Sequence, residues 1–352
     1  MALPPRVAVI LVNHQDYTRP YLAACYASLM AQTYPADRVT LFIVNNGLPE
    51  AETRLTEQLA PTARMLQLPE NVGWGGGNNA AIRVALAERF DYIILLNIDV
   101  TVDRAWLTQL VEEAERRPDT HILQSLILLH GTNRINSLGN RIQFLGFGYC
   151  QGYGEPASGA SAPEVVDYAS GASMLVRREV FEAVGMFRDD YFMYYDDVEF
   201  CWRARLAGYA VGVATSSVCR HKYAFATTLQ WLYHLDRNRL TTLLTLERPG
   251  TLALILPCLL VAEGLLTAYY LCRGWGGSRL KLLGYFLRAG TWSAIRRNRL
   301  AIRRIRTRRD ADIVKHFAAP ITFAEVDGPV IRYVMNPLLR LYWGLVRSLI
   351  FW

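Results

Sequence analysis

Tyr92-Ile93-Ile94-Leu95-Leu96-Asn97-Ile98-Asp99 is an apolar run that ends in an amide and a carboxylate. An unbroken apolar run of this length is the pattern of a strand buried on both faces, as in a parallel sheet covered by helices. The flanking segments agree. Helical patterns are predicted over Gly76–Arg89 before it and Asp103–Arg116 after it, and further out Val7–Val12 and Val39–Val44 read as strands, with helices over Arg19–Gln32 and Ala51–Leu59. This alternation predicts an α/β fold with a doubly wound, mostly parallel sheet. Ligands of such sheets bind beyond the carboxyl ends of the strands, where Asn13, Asn45, Asn46, Asn97 and Asp99 fall.

A second segment, Tyr194-Tyr195-Asp196-Asp197-Val198-Glu199-Phe200-Cys201-Trp202-Arg203, sets three carboxylates among aromatic residues. Crowding and burial raise a carboxylate's pKa, which suits a general base for a hydroxyl near neutral pH. The same acids also suit the start of a helix predicted over Val198–Ala207. Val218-Cys219-Arg220-His221 ends a short β-branched run in an imidazole, and oxygen and nitrogen ligands at strand ends suggest a divalent metal. Asn71-Val72-Gly73-Trp74-Gly75-Gly76-Gly77-Asn78-Asn79 precedes a helix, so its glycines would let backbone approach a ligand at the helix N-terminus. It does not follow the first strand and is therefore not the dinucleotide fingerprint.

Taken in order, these segments resemble glycosyltransferase family 2, most closely its bacterial rhamnosyltransferase-like members. The resemblance rests on Val9–Asn13, Ile43–Asn46, Asn71–Asn79, Leu96–Asp99, Ser170–Met174, Gly185–Phe187 and Asp196-Asp197. It implies a GT-A catalytic domain and an inverting transfer from a nucleotide-sugar donor, with a divalent cation, Mg or Mn, as cofactor. It implies Asp197 as base, with Asp196 as cap or orienter, and Asp99 and His221 as metal ligands. Asn13, Asn45, Asn71, Gly73, Asn79 and Asn97 are implied on the nucleotide-sugar side, and Arg203 on a phosphate or carboxylate. Asn45 and Asn97 stand where acids are usual in the family, and since Asn45 is at the position implied to contact the nucleobase, the base, uracil or thymine, is not readable. An amide can donate and accept, whereas an ionised Asp only accepts. The expected donor is dTDP-rhamnose, with UDP-sugars, including UDP-galactofuranose, close behind. Rival readings are a polyprenyl-phosphate sugar transferase and a nucleotide-sugar-binding scaffold without activity.

The net charge of +7 hides a split. Residues 1–235 carry 19 Lys and Arg against 24 acids, and residues 236–352 carry 19 against 7. The basic residues alternate with apolar runs, which favours an anionic membrane surface over nucleic acid. Thr251–Cys272 holds Glu263 as its single charge, followed by twelve Lys and Arg and no acid over 273–309. Basic flanks on both sides disfavour a single crossing. Val330–Trp352 reads as a helix lying in the headgroup plane, with Arg332, Arg340 and Arg347 on one face. Residues 1–235 are thus the expected catalytic domain and 236–352 a membrane-association region, peripheral, monotopic or re-entrant. The six cysteines form no CxxC pair, and the N-terminus shows no secretory pattern. The expected location is the cytoplasmic membrane face, and the expected acceptor a lipid-linked saccharide or polysaccharide. Residues 148–164, rich in Gly, Ser, Pro and Ala, are expected to form a mobile loop near that acceptor.

Overall fold

The computed structural model describes residues 3–14, 17–222, 232–322 and 328–352. The chain forms two compact units. The first holds the described residues up to 140, then 150–204 and 209–222; the second holds 141–149, 205–208 and those from 232 onward.

Eleven strands occur among the described residues: β1 Val7–Asn13, β2 Val39–Asn46, β3 Arg64–Leu68, β4 Tyr92–Leu96, β5 Val100–Val102, β6 Thr120–Leu129, β7 Ile135–Ser137, β8 Asn140–Ile142, β9 Gly148–Cys150, β10 Ser173–Arg177 and β11 Ala210–His221. Nine form one sheet in the order β3-β2-β1-β4-β10-β6-β11-β5, with β7 beside β6, while β8 and β9 pair with each other. The pairs β3–β2, β2–β1, β1–β4 and β6–β11 are parallel, whereas β10 runs antiparallel between β4 and β6. Every residue of β4 is buried, as its apolar run predicts. The carboxyl ends of β1 and β2 are in register, so Asn13 lies opposite Asn45.

The helices of this unit are α1 Ala23–Met30, α2 Glu50–Leu59, α3 Gly73–Ala87, α4 Trp106–Arg116, α5 Arg178–Val184 and α6 Asp196–Leu206, whose last residues belong to the other unit. α3 begins three residues before the predicted start because Gly73, at φ +82°, turns the chain directly into it. The strands not foreseen are β3, which lies at the sheet edge, β6, whose buried Gln124 and Ser125 interrupt its apolar pattern, and the three-residue strands β5, β7, β8 and β9. Residues 151–160 are tied by backbone hydrogen bonds, Gln151 N to Gly139 O at 3.0 Å and Ala157 N to Asn133 O at 3.0 Å. The predicted loop is therefore stitched to the 133–139 segment.

The second unit is helical: α7 Leu232–Leu246, α8 Pro249–Cys272, α9 Gly276–Phe286, α10 Ala289–Ile305, α11 Asp310–Val314 and α12 Asn336–Ser348. The start of the helix predicted from Thr228 lies outside the described residues. Pro249 opens α8 at a position where a missing N–H costs nothing. Phe144 stacks on Trp343 of α12 with centroids 4.7 Å apart, and Leu339, Trp343 and Val346 form that helix's buried stripe. Its Leu338, Leu341 and Leu345, and Leu349 just beyond it, are all more than half exposed. α8 is the one helix among the described residues long and apolar enough to cross a membrane.

Candidate functional site

Strand pairing creates the first cluster. β5 and β11 run antiparallel with Val100 opposite His221, so Asp99, just before β5, meets the imidazole at the end of β11. His221 Nε2 lies 3.3 Å from Asp99 Oδ2, and both side chains are largely buried. On the other side of the ring, Nδ1 is 3.1 Å from Asn136 Oδ1. When Nδ1 donates to Asn136, the Nε2 lone pair faces Asp99, the arrangement in which a second residue fixes a metal-binding imidazole. A carboxylate and an imidazole suit Mg or Mn, although no third His, Cys, Asp or Glu joins them among the described residues. Water and donor oxygens commonly complete such shells. His14, stacked on Tyr17 at 4.5 Å, borders the same region; burial lowers its pKa while Asp99 pulls it upward.

The second cluster surrounds Asp197. Its Oδ2 accepts Gly171 N–H at 3.1 Å and its Oδ1 accepts Val198 N–H at 2.8 Å. Burial raises the carboxyl pKa, and these backbone donors oppose the rise without cancelling it. Asp196, expected as cap or orienter, is 3% exposed and packs on α3, where a Cβ on Gly75 would stand 2.4 Å from its Oδ1. Phe192, Tyr194 and Tyr195 all have φ between +64° and +68°, a conformation costly for side chains of this size. α3 presses on this strained turn: Trp74 N–H donates to Phe192 O at 2.7 Å, and any Cβ on Gly73 would stand 1.9 Å from that oxygen.

Trp74 joins the two clusters. Its indole N–H donates to Asn97 Oδ1 at 3.1 Å, and its ring fills the space where a Cβ on Gly171 would stand at 2.5 Å. Gly171 in turn holds Asp197. The contacts thus run from Asn97, beside Asp99, through Trp74 and Gly171 to Asp197.

Other predicted ligand residues are committed within the protein. Asn13 Nδ2 donates to Thr18 Oγ1 at 3.0 Å and Thr56 Oγ1 at 2.9 Å and leans on Asn45 Oδ1 at 3.5 Å. It positions Asn45, whose own Nδ2 is buried without a partner. Asn71 Oδ1 accepts from Gly73 N–H at 2.9 Å and from Asn46 Nδ2 at 3.0 Å, which shapes the loop entering α3. Two further predicted residues make contacts across the fold. Asn79 clamps Phe187 through N–H and O, at 3.0 and 2.9 Å, and reaches Asp189 at 2.8 Å. Arg203, expected on a phosphate or a carboxylate, forms a buried fork on the Glu199 carboxylate at 2.8 and 3.0 Å and donates to the Met186 carbonyl at 2.8 Å.

Asn136, His14 and Gly171 were not singled out from the sequence. Asn136 carries no local signal, since a three-residue strand far from His221 brings it there. Gly171 lies in a quoted motif, and only its backbone N–H matters here.

The profile of a family described as Glycosyl transferase family 2 matches residues 8–185. The chain is 28% identical over 149 residues to a low-salt glycan biosynthesis hexosyltransferase, Agl10, of Haloferax volcanii, a match over 40% of this chain and 46% of that protein. It thus spans less than half of that relative. It is 28% identical over 250 residues to an N-acetylglucosaminyl-diphospho-decaprenol L-rhamnosyltransferase of Mycobacterium tuberculosis, covering 63% of this chain and 78% of the relative. The mannosyltransferase PcManGT of Pyrobaculum calidifontis, solved with GDP-Man and Mn2+, is similar in structure, with a TM-score of 0.52, 16% identity and 86% of each chain covered. That likeness shows a GT-A fold.

Proposed function

We propose, from the premise that this chain belongs to glycosyltransferase family 2, that it is an inverting glycosyltransferase moving a hexose or deoxyhexose from a nucleotide diphosphate to a hydroxyl of a lipid-linked glycan. The supporting observation is the contact chain from Asn97 through Trp74 and Gly171 to Asp197, which ties a carboxylate of raised pKa to the Asp99–His221 pair. Asp197 accepts the proton of the acceptor hydroxyl. The freed oxygen attacks the anomeric carbon opposite the diphosphate, the bond to the diphosphate oxygen breaks, and the centre inverts. Asp99 and His221 would hold a divalent cation, which supplies charge neutralisation for the leaving diphosphate. Asn13 and Asn46 position Asn45 and the α3 loop toward the nucleotide, while Asn79 and Arg203 hold the scaffold.

The rhamnosyl donor remains our preferred assignment, supported by the name of the mycobacterial relative. We place the protein on the cytoplasmic membrane face through residues 236–352. Supporting this is Glu263, midway along α8, which pairs with Arg239 of α7 and with Arg279 of α9 at 2.8 Å. A helix tied at its middle to segments before and after it suits a re-entrant or interfacial hairpin better than a crossing.

Thermal melts with dTDP-, UDP- and GDP-sugars test the reading. A cognate donor at a hundred times its Kd should add about 2.7 kcal/mol of stability. The increment should need Mn2+ or Mg2+ and vanish in Asp99→Ala. Stabilisation by no nucleotide sugar, with or without metal, would sink the proposal.

A further inference from the structure

β6 runs Ile122-Leu123-Gln124-Ser125-Leu126-Ile127-Leu128 between β10 and β11, and the Gln124 side chain in this apolar setting is fully buried. Replacing an amide and its partners by apolar groups of the same shape is nearly neutral for stability, so packing alone gives no reason for one here. The amide is fully used. Oε1 accepts Ser170 N–H at 2.7 Å and Asn140 Nδ2–H at 2.9 Å. Nε2 donates to Ser137 Oγ at 2.9 Å, with the Ser137 and Ser125 carbonyls at 3.3 and 3.2 Å. Ser137 Oγ–H donates on to Asn140 Oδ1 at 2.8 Å, which closes a ring of three buried side chains. A satisfied buried network of this kind fixes one geometry.

Both ends of this ring lie one residue from a group that supports the candidate site. Ser170 precedes Gly171, whose N–H donates to Asp197 Oδ2 at 3.1 Å. Asn140 grips the same loop, donating to the Tyr168 carbonyl at 3.2 Å, and the loop's Ala172 carbonyl accepts Asn97 N–H at 3.1 Å. On the other side, Ser137 follows Asn136, whose Oδ1 lies 3.1 Å from His221 Nδ1. β7 pairs with β6 through Ser137 on Ile127 and Ile135 on Leu128, so Asn136 is the extra residue of a register shift, the device that re-aims a side chain out of a ladder. The hold of Gln124 on Ser137 fixes where that shift falls. All of these residues belong to the first unit.

We propose that Gln124 is a positioning residue for the transfer: one buried amide sets both the loop that presents Gly171 to Asp197 and the register shift that presents Asn136 to His221. The role rests on the reading of Asp197 as base and of Asp99 and His221 as the metal pair. Gln124 acts through its neighbours, and it ties the two halves of the site to one point in the sheet. Sites of this kind hold their geometry only where a supporting layer locks it, and a misplacement of about 1 Å costs on the order of 10²-fold in rate.

Proton exchange in the full chain, kept free of metal with EDTA, tests this. Two protons are followed in 15N–1H spectra: the His221 Nδ1 proton, identified by its absence in His221→Gln, and the Gly171 amide proton. Gln124→Met conserves volume and removes both arms of the amide, so both protons should exchange about tenfold faster or more than in the parent. With metal restored, Mn2+ affinity should fall about 10–100-fold. At saturating Mn2+, kcat should fall on the order of 10–10²-fold with donor KM unchanged. Ser125→Ala is the control. The next residue along a strand points to the opposite face, where Ser125 Oγ accepts Trp106 Nε1–H at 2.8 Å, so this change loosens the same strand and should leave both protons protected. Ser137→Ala, a milder change, should free the His221 proton alone. Unchanged exchange in folded Gln124→Met, a change at only one of the two protons, or an equal loss in Ser125→Ala would overturn the role. If Gln124→Met does not fold, a His221 proton still protected in Ser137→Ala overturns it. A parent chain that turns over no nucleotide sugar sinks the transfer reading instead, while the exchange measurements still decide whether Gln124 holds the two groups.

Discussion

The two units solve the burial problem in opposite ways. In the sheet unit β1 and β4 are buried throughout, and the candidate site residues Asp99, Asp197 and His221 gather where strands and loops end. In the helical unit Asp236, Arg239, Glu247, Arg279 and Asp310 are buried, while Leu260, Val261, Leu280, Leu287, Leu341 and Leu345 are more than half exposed. Water rewards the first arrangement and penalises the second. A surface with apolar residues outside and paired charges inside suits contact with lipid, where buried ions persist only in matched networks. One unit is thus organised around chemistry at a wet edge, and the other around its surroundings.

The largest effect is expected at the wet edge. Asp197→Asn keeps the size and one of the two backbone N–H contacts but cannot take a proton, so kcat should fall on the order of 10²–10⁴-fold with little change in donor affinity. Because burial raises the Asp197 pKa, the acid limb of kcat/KM should lie above the ordinary carboxylate range, with activity rising with pH through it. Retention of turnover within a few-fold would favour a lipid phosphate, which needs no base, as acceptor.

Glu263→Ala probes the other regime. It leaves Arg239 and Arg279 facing each other around Asp236 alone, and removing one partner of a buried network typically costs about 3–5 kcal/mol. Denaturant melts of the full chain should show that loss. A loss within about 0.5 kcal/mol, the range of an ordinary surface change, would mean the network is wet and the contrast between the units is weaker than drawn.

A smaller effect is expected for Asn136→Ala. If Asn136 orients the His221 ring, its loss should weaken Mn2+ binding about 10–100-fold, as for other residues that support a ligand. Isothermal titration with Mn2+ in the presence of nucleotide measures it, and unchanged affinity would leave Asn136 a packing residue.

Much of the sheet unit was legible because its information is local. Five apolar residues in a row name β4, and an amide and acid after them name a strand end. Residues that act through distant partners were not legible: Asn136 reaches His221 across 85 positions, and Asn79 reaches Phe187 across 108. Arg203 was read toward a phosphate or a carboxylate without a choice between them, because sequence shows the charge but not that Glu199, one helical turn before it, is buried with it. In the helical unit composition revealed the basic and apolar bias, but α9 and α10 were merged into a basic run, since a Gly-rich turn and an Arg-rich amphipathic helix look alike to a charge count.

The last expected effect, spread over several pH units, concerns a buried acid in the helical unit. Glu247 is 3% exposed and lies against Asp310; burial raises its pKa well above the usual value, Asp310 raises it further, and Arg306 and Arg299 only partly oppose this. The folded state therefore holds a proton that the unfolded chain releases earlier. Below the unfolded pKa, about 4.3, both states are protonated and the stability contribution is complete. As pH rises toward the folded value the unfolded chain deprotonates first, and stability falls by up to about 1.4 kcal/mol per pH unit until the folded group also ionises. Glu247→Gln keeps the shape and removes the titration. Between pH 5 and pH 8 its melting temperature should therefore fall less than that of the parent, and near pH 8 the variant should be the more stable of the two. Parallel melting curves across that range would show that Glu247 is ionised in the folded unit and that Arg306 and Arg299 satisfy it, which would bring this cluster into line with the fully matched one around Glu263.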